Sequence, residues 1–192
     1  MQRFENKITM QLPEKYILFV GSRYSYKNFN RFIEAFSLLA QKDSKLYLIC
    51  TGNKFSQDEE DLLSKLHIKN KTLQINASDK ELSELYTRAS LFVFPSLYEG
   101  FGIPILEAYA CHCPIAISNT SCFPEIAGDA AIYFDPYSVK DIANTIEAVI
   151  YNPQKSNELI QKGIKRLELY SWEKTVVETE ETYKKTIQGY NF

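Results

Sequence analysis

"FVFPSLYEGFGIPILEAYACHCPIAIS", Phe92 to Ser118, is the most apolar run of the chain, and it carries two glutamates, Glu99 and Glu107, eight positions apart. "LFVF" (Leu91 to Phe94) and "PIAIS" (Pro114 to Ser118) read as short strands. Between them a loop with Gly100 and Gly102 leads into a short helix over about Gly102 to Ala110. Strand, loop, helix and strand make one crossover unit. Strands that are apolar on both faces belong in a parallel sheet covered by helices on each side. Glutamate is rarely buried without a partner, so the two acids in this run call for an explanation of their own.

The same alternation continues outward. "YILFV" (Tyr16 to Val20) is a β-rich run, followed by Phe29, Phe32, Ile33, Phe36, Leu39 and Ala40 at helical spacing. "LYLIC" (Leu46 to Cys50) is the next strand. Ser56 and Glu59 form a capping box ahead of Leu62, Leu63 and Leu66. "TLQI" (Thr72 to Ile75) precedes a second capping box, Ser78 and Glu81, which opens a helix with Leu82, Leu85, Tyr86 and Ala89 on one face. A brief helix near Pro124 to Ala127 leads to "AIYF" (Ala131 to Phe134), and helices are expected over Val139 to Tyr151, Pro153 to Leu169 and Ser171 to about Ile187. The fold class is α/β: a Rossmann-like, doubly wound parallel sheet of about six strands with a helical C-terminal extension. Residues 1–15 read as a strap or linker, and residues 16–192 as a single domain.

The composition is that of an ordinary globular chain: 192 residues, 45% apolar and 24% charged. A net charge of −2 announces no polyanion-binding surface, so no nucleic acid is expected. No apolar run reaches the roughly 20 residues of a membrane helix. The opening "MQRFENKITM" has no apolar signal core. A cytoplasmic location is expected, at most peripheral to the inner face of the membrane. Cys50, Cys111, Cys113 and Cys122 form no Cys-x-x-Cys pair, and "ACHCP" would need distant partners when the only other histidine is His67. No metal site is expected. His112 and His67 read as ordinary residues without a catalytic partner.

In doubly wound sheets ligands bind beyond the carboxyl ends of the strands, near the reversal in strand order. The loop holding Glu99 is one such place. Gly100 and Gly102 have no β-carbon and let a ligand approach the backbone. The helix start beyond them presents unpaired N–H groups, which suit phosphate. Carboxylates are good acceptors for sugar hydroxyls, so Glu99 and Glu107 together suit an extended, hydroxylated ligand. The plain alternative is a solvent-facing Glu107 and a glycine turn. "GSRYSYKNF", after the first strand, supplies Arg23 and Lys27, with Gly21 allowing a tight exit. Either cation can hold phosphate oxygens; the alternative is a solvated basic loop. Neither the P-loop nor the dinucleotide fingerprint is present.

Taken together, these residues resemble family 4 glycosyltransferases, the "glycosyl transferases group 1" family. The match lies in Pro95-Ser96, then Glu-Gly-Phe-Gly-x-Pro from Glu99, then a second Glu at 107. "YILFVGSRYSYKNFNRFIEAF" is similar to the family's first strand, phosphate loop and helix, and "SDKELSELYTRASLFVFPS" and "SCFPEIAGDAAIYFDP" also fit in order. The resemblance covers about Lys15 to Ile187. It implies the second, donor-binding domain of a two-domain GT-B enzyme, with the N-terminal acceptor domain absent here. It implies a retaining transfer of a hexose from a UDP- or GDP-linked sugar to a hydroxyl acceptor, a glycan or a lipid-linked sugar, in cell-surface glycan synthesis. The donor is a substrate, so no cofactor is implied, and the family generally needs no metal.

By the same resemblance Glu99, Lys27 and Arg23 are the catalytic set. Glu99 would contact hydroxyls of the transferred sugar, while Lys27 and Arg23 would hold the diphosphate. Glu107 would bind the ribose. Gly21, Gly100, Phe101, Gly102 and Ile103 would line the donor. The chain departs from the pattern at several positions. Ser22 and Tyr26 stand where members carry the loop Arg, "INASD" lacks a usual Gly, and His112 replaces another. The reading from a different class is a non-catalytic nucleotide-sugar-binding or interaction module that pairs with a separate N-terminal domain.

Overall fold

A computed structural model describes residues 11–189. Six strands, β1 (Lys15–Phe19), β2 (Leu46–Thr51), β3 (Thr72–Ile75), β4 (Leu91–Phe94), β5 (Ile115–Ser118) and β6 (Ile132–Phe134), form one parallel sheet in the order β3-β2-β1-β4-β5-β6. This is the doubly wound order, and its reversal falls between β1 and β4, where Ile17 pairs with Leu91 and Leu18 with Phe92. Most of the expected strap lies outside the described residues. Of the rest, Leu12 packs against the core and Lys15 already belongs to β1.

Alternate residues of each strand enter two separate cores. Ile17, Phe19, Leu48, Cys50 and Val93 pack under α1 (Phe29–Lys42), α2 (Gln57–Lys65) and α6 (Val139–Ile150). Tyr16, Leu18, Phe92, Phe94 and Ile117 pack under α3 (Asp79–Arg88), α4 (Ile103–Ala110) and α5 (Phe123–Ala127). The strands read as apolar throughout because both faces are covered. Both capping boxes form: Ser56 with Glu59 and Ser78 with Glu81 exchange side-chain and backbone bonds at the starts of α2 and α3. The buried Tyr16 hydroxyl donates to the Leu85 carbonyl at 2.7 Å, fixing α3 over the sheet.

His67 and His112 follow α2 and α4 with φ of +58° and +55°. In each case the next amide bonds back to a carbonyl five residues earlier, Ile68 to Leu63 and Cys113 to Ala108. These are helix-stopping positions where glycine is the usual choice. The left-handed backbone is the physical reason a glycine is usual where His112 stands. All four cysteines are free, and burial pushes the Cys50 and Cys113 thiols well up from their ordinary range.

α7 (Pro153–Leu167) packs across α4. A Cβ at Gly163 would lie 2.5 Å from the Tyr109 ring, so the approach of these helices depends on that glycine. α8 (Trp172–Gly189) is different, because none of its side chains is buried. Trp172, Val176, Tyr183 and Ile187 form an apolar stripe that is exposed along its length, Trp172 at 76%.

Candidate functional site

The loops after β1 and β4 meet across the reversal of the sheet. Leu97 N–H donates to the Tyr26 carbonyl at 2.8 Å, which places the two loops side by side. Lys27 ends a one-turn helical segment over Ser25–Lys27, and its Nζ lies 2.6 Å from Glu99 Oε1. Both side chains are mostly sheltered, at 13% and 16% exposure, so the pair is stronger than an ordinary surface contact. The ammonium also sits 5.3 Å from the centres of the Tyr26 and Phe94 rings.

Glu107 occupies the second turn of α4, half-buried, and does not simply face solvent. The Tyr86 hydroxyl, from α3, donates to its Oε2 at 3.1 Å. Burial first, and then the neighbouring Glu107 carboxylate, pushes the Tyr86 phenol well above its ordinary range. Tyr86 therefore stays protonated and remains a donor. Its sequence signal was only a position on the apolar face of a helix, and nothing in that pattern distinguishes a packing tyrosine from one that orients an acid.

Gly102 caps α4 with φ +104°, and no side chain bonds to the first amides of the helix. These amides sit between Glu99 and Glu107 along the chain, beside exposed Gly100, Phe101 and Ile103. A Cβ at Gly100 would meet open space. Gly21, with φ +109°, makes the sharp exit from β1, and its amide bonds Thr51 Oγ1 at 3.1 Å. The rim carries further exposed rings at Tyr24, Tyr98 and Tyr137.

Arg23 is placed otherwise. Its guanidinium is 2.8 Å from Glu59 and also donates to the carbonyls of Thr51, Asn53 and Lys54. Its carbon lies 4.7 Å from the Phe55 ring centre. Those bonds tie the β1 loop to the β2 loop and to the capping box of α2, and they leave the guanidinium turned toward Glu59, not Glu99. The structure thus brings Lys27, Glu99 and the α4 start together and holds Arg23 apart from them. A cavity of about 620 Å³ lies on the Arg23 side, lined by Tyr24, Arg31, Glu34, Asp58 and Leu97 among others. Its walls include Leu97 and Ser25 from the two loops, but neither Lys27, Glu99 nor Glu107. Among the described residues no cluster of metal-ligating side chains occurs, and no helix is long and apolar enough to cross a membrane.

Comparison with known proteins gives a consistent picture. O-antigen chain mannosyltransferase B of Escherichia coli is 32% identical over 176 residues, covering 88% of this chain. The chain spans 45% of that enzyme's length. A solved C-terminal domain of a glycosyl transferase group 1 protein, LpcC of Francisella tularensis, superposes with a TM-score of 0.71 at 24% identity. The match covers 82% of this chain and 87% of that one. HepE of Anabaena, solved with UDP and glucose, gives 0.74 at 18% identity over 91% of this chain and 48% of its own. The expected GT-B type of Rossmann-like domain is therefore the fold found. The model of the family described as glycosyl transferases group 1 matches residues 1–166, and the chain belongs to that family.

Proposed function

We propose that the chain is the donor-binding half of a retaining glycosyltransferase. It holds a nucleoside diphosphate sugar whose sugar passes to a hydroxyl of a glycan or lipid-linked acceptor. The observation that supports this best is the Lys27–Glu99 pair at the reversal of the sheet, beside the uncapped start of α4. In this reading the Ile103 amide and dipole at the start of α4, with the Lys27 ammonium, take up the charge of the departing diphosphate, the main electrostatic task of the reaction. Glu99 accepts hydroxyls of the transferred sugar, and Glu107, oriented by Tyr86, accepts those of the ribose. The relative's name points to mannose as the sugar. The chain's own cation and amides perform the neutralisation, so no metal is required.

Transfer needs the acceptor held against the donor in a site closed to water. Here the rim rings and the α8 stripe stand exposed, and the chain covers less than half of the relative's length. The chain alone therefore binds donor without transferring sugar, and a further N-terminal domain completes the cleft. Calorimetry and melting with UDP, GDP and ADP in EDTA test the donor site. A ligand at about 100-fold over its Kd adds roughly 2.7 kcal/mol to stability. No change with any of the three would overturn the reading. Robust transfer by the chain alone would overturn the half-enzyme part of it.

A further inference from the structure

We infer that Thr120, Ser121 and Cys122, on the loop after β5, are positioning residues that set the Glu99 carboxylate for the donor sugar. The inference rests on the role of Glu99 proposed above. Glu99 sits in a loop outside any helix or strand, between β4 and α4, so its own segment does not fix it. Three consecutive side chains from the neighbouring loop do. Thr120 Oγ1 donates to the Leu97 carbonyl at 3.2 Å. Ser121 Oγ accepts from Glu99 N–H at 3.2 Å and donates to the Glu99 carbonyl at 2.9 Å, gripping both backbone groups of that one residue. The single Cys122 S–H is shared between the carbonyls of Phe101, at 3.0 Å from Sγ, and Glu99, at 3.3 Å.

A second observation bears on the same grip. Ser121 has φ +56°, a left-handed conformation uncommon outside glycine, asparagine and aspartate. That backbone accompanies an Oγ bonded to both backbone groups of Glu99. On the far side, the Leu97–Tyr26 bond and the Lys27 ammonium hold the same loop. Glu99 is thus located from two directions, by the loops after β1 and β5, and the Ser121 side chain bonds to Glu99 alone, while Glu107 is held by Tyr86.

The test uses Ser121→Ala, Cys122→Ala and the conservative Cys122→Ser. Without ligand, hydrogen exchange at the Glu99 amide should quicken by about tenfold in Ser121→Ala, with the β4 and β5 amides unchanged. With ligand, the readout is the ratio of affinities for GDP-mannose over GDP, and for UDP-glucose over UDP. This ratio should fall by about fivefold in Ser121→Ala and Cys122→Ala and return in Cys122→Ser, because a lost hydrogen bond of this kind is worth about 1 kcal/mol. An unchanged ratio overturns the inference. Equal losses for sugar-bearing and plain nucleotides also overturn it, since a merely structural loop would behave so. If the wild type binds neither member of either pair, the donor reading fails, and the exchange rates alone decide whether the clamp exists.

Discussion

Lys27 and Glu99 lie 72 residues apart in the chain and 2.6 Å apart in space, one on each side of the point where the strand order of the sheet reverses. Neither charge is left alone in its half-buried position. In the free protein, Lys27→Met should destabilise by about 1–2 kcal/mol, because it strands a sheltered carboxylate. Adding Glu99→Gln should recover part of that loss. A double-mutant cycle by denaturant titration reads the coupling, and strictly additive losses would mean that the two groups do not stabilise one another.

Glu107→Ala should weaken nucleoside diphosphate binding by about 1.5–3 kcal/mol, and Glu99→Ala should leave it nearly unchanged. Plain nucleotide has ribose for Glu107 but no transferred sugar for Glu99. Tyr86→Phe, which keeps the ring packed on Phe92, should lower nucleotide affinity about fivefold through the misplaced acid. Calorimetry on folded variants reads all three, and equal affinity for the wild type and Glu107→Ala would contradict the ribose role.

Arg23→Ala should act on the fold more than on the ligand. It removes the partner of Glu59 and a guanidinium shared by three carbonyls, a loss of about 3 kcal/mol for a buried pair. The melting temperature should drop steeply while nucleotide affinity, measured below the transition, changes little. A tenfold loss of affinity at unchanged melting temperature would return Arg23 to the phosphates.

Gly163→Ala should destabilise by about 1–3 kcal/mol, because the new methyl would press on Tyr109. In an unobstructed helix the same change would stabilise by about 1 kcal/mol. Chemical denaturation gives the sign directly, and a gain in stability would show that α4 and α7 separate without strain.

Acid should weaken the protein between about pH 4 and 2 in part through Asp43. The bond from Lys15, then the Lys45 amide and the Tyr151 hydroxyl, lower this carboxyl to about 2. A carboxyl lowered in the folded state adds stability above its unfolded value near 4, and that contribution fades as pH falls through the folded value. Solvent screening holds the gain to about 1 kcal/mol. Asp43→Asn should lose that amount at pH 6 and only a small part of it at pH 2, as read by urea titrations at the two pH values.

The strands, the two capping boxes and the glycine turn after β4 were legible because each depends on local chemistry: apolar runs, a Ser followed by Glu at the third position, and glycines where the backbone turns. The partner of each charged residue was not. Arg23 and Lys27 share one loop and look equivalent in the sequence. Their fates differ because Glu59 comes from α2 beside the β2 loop, while Glu99 comes from the loop after β4. The same holds for Tyr86 and for Thr120 to Cys122, whose contacts with the site depend on which strands and helices become neighbours. Residue type and spacing carry no record of that adjacency.

The strand order also fixes when this site comes into being. β1 has β2 on one side, close behind it in the chain, and β4 on the other, where Ile17 meets Leu91 only after the chain has passed through β2, α2, β3 and α3. That is a long loop to close, and long-range parallel pairing is slow. Helices and the β1–β2 pair should therefore form before Lys27 meets Glu99. In refolding from denaturant, recovery of nucleotide binding should trail recovery of the far-ultraviolet helix signal, so that the ligand reports the last step of assembly.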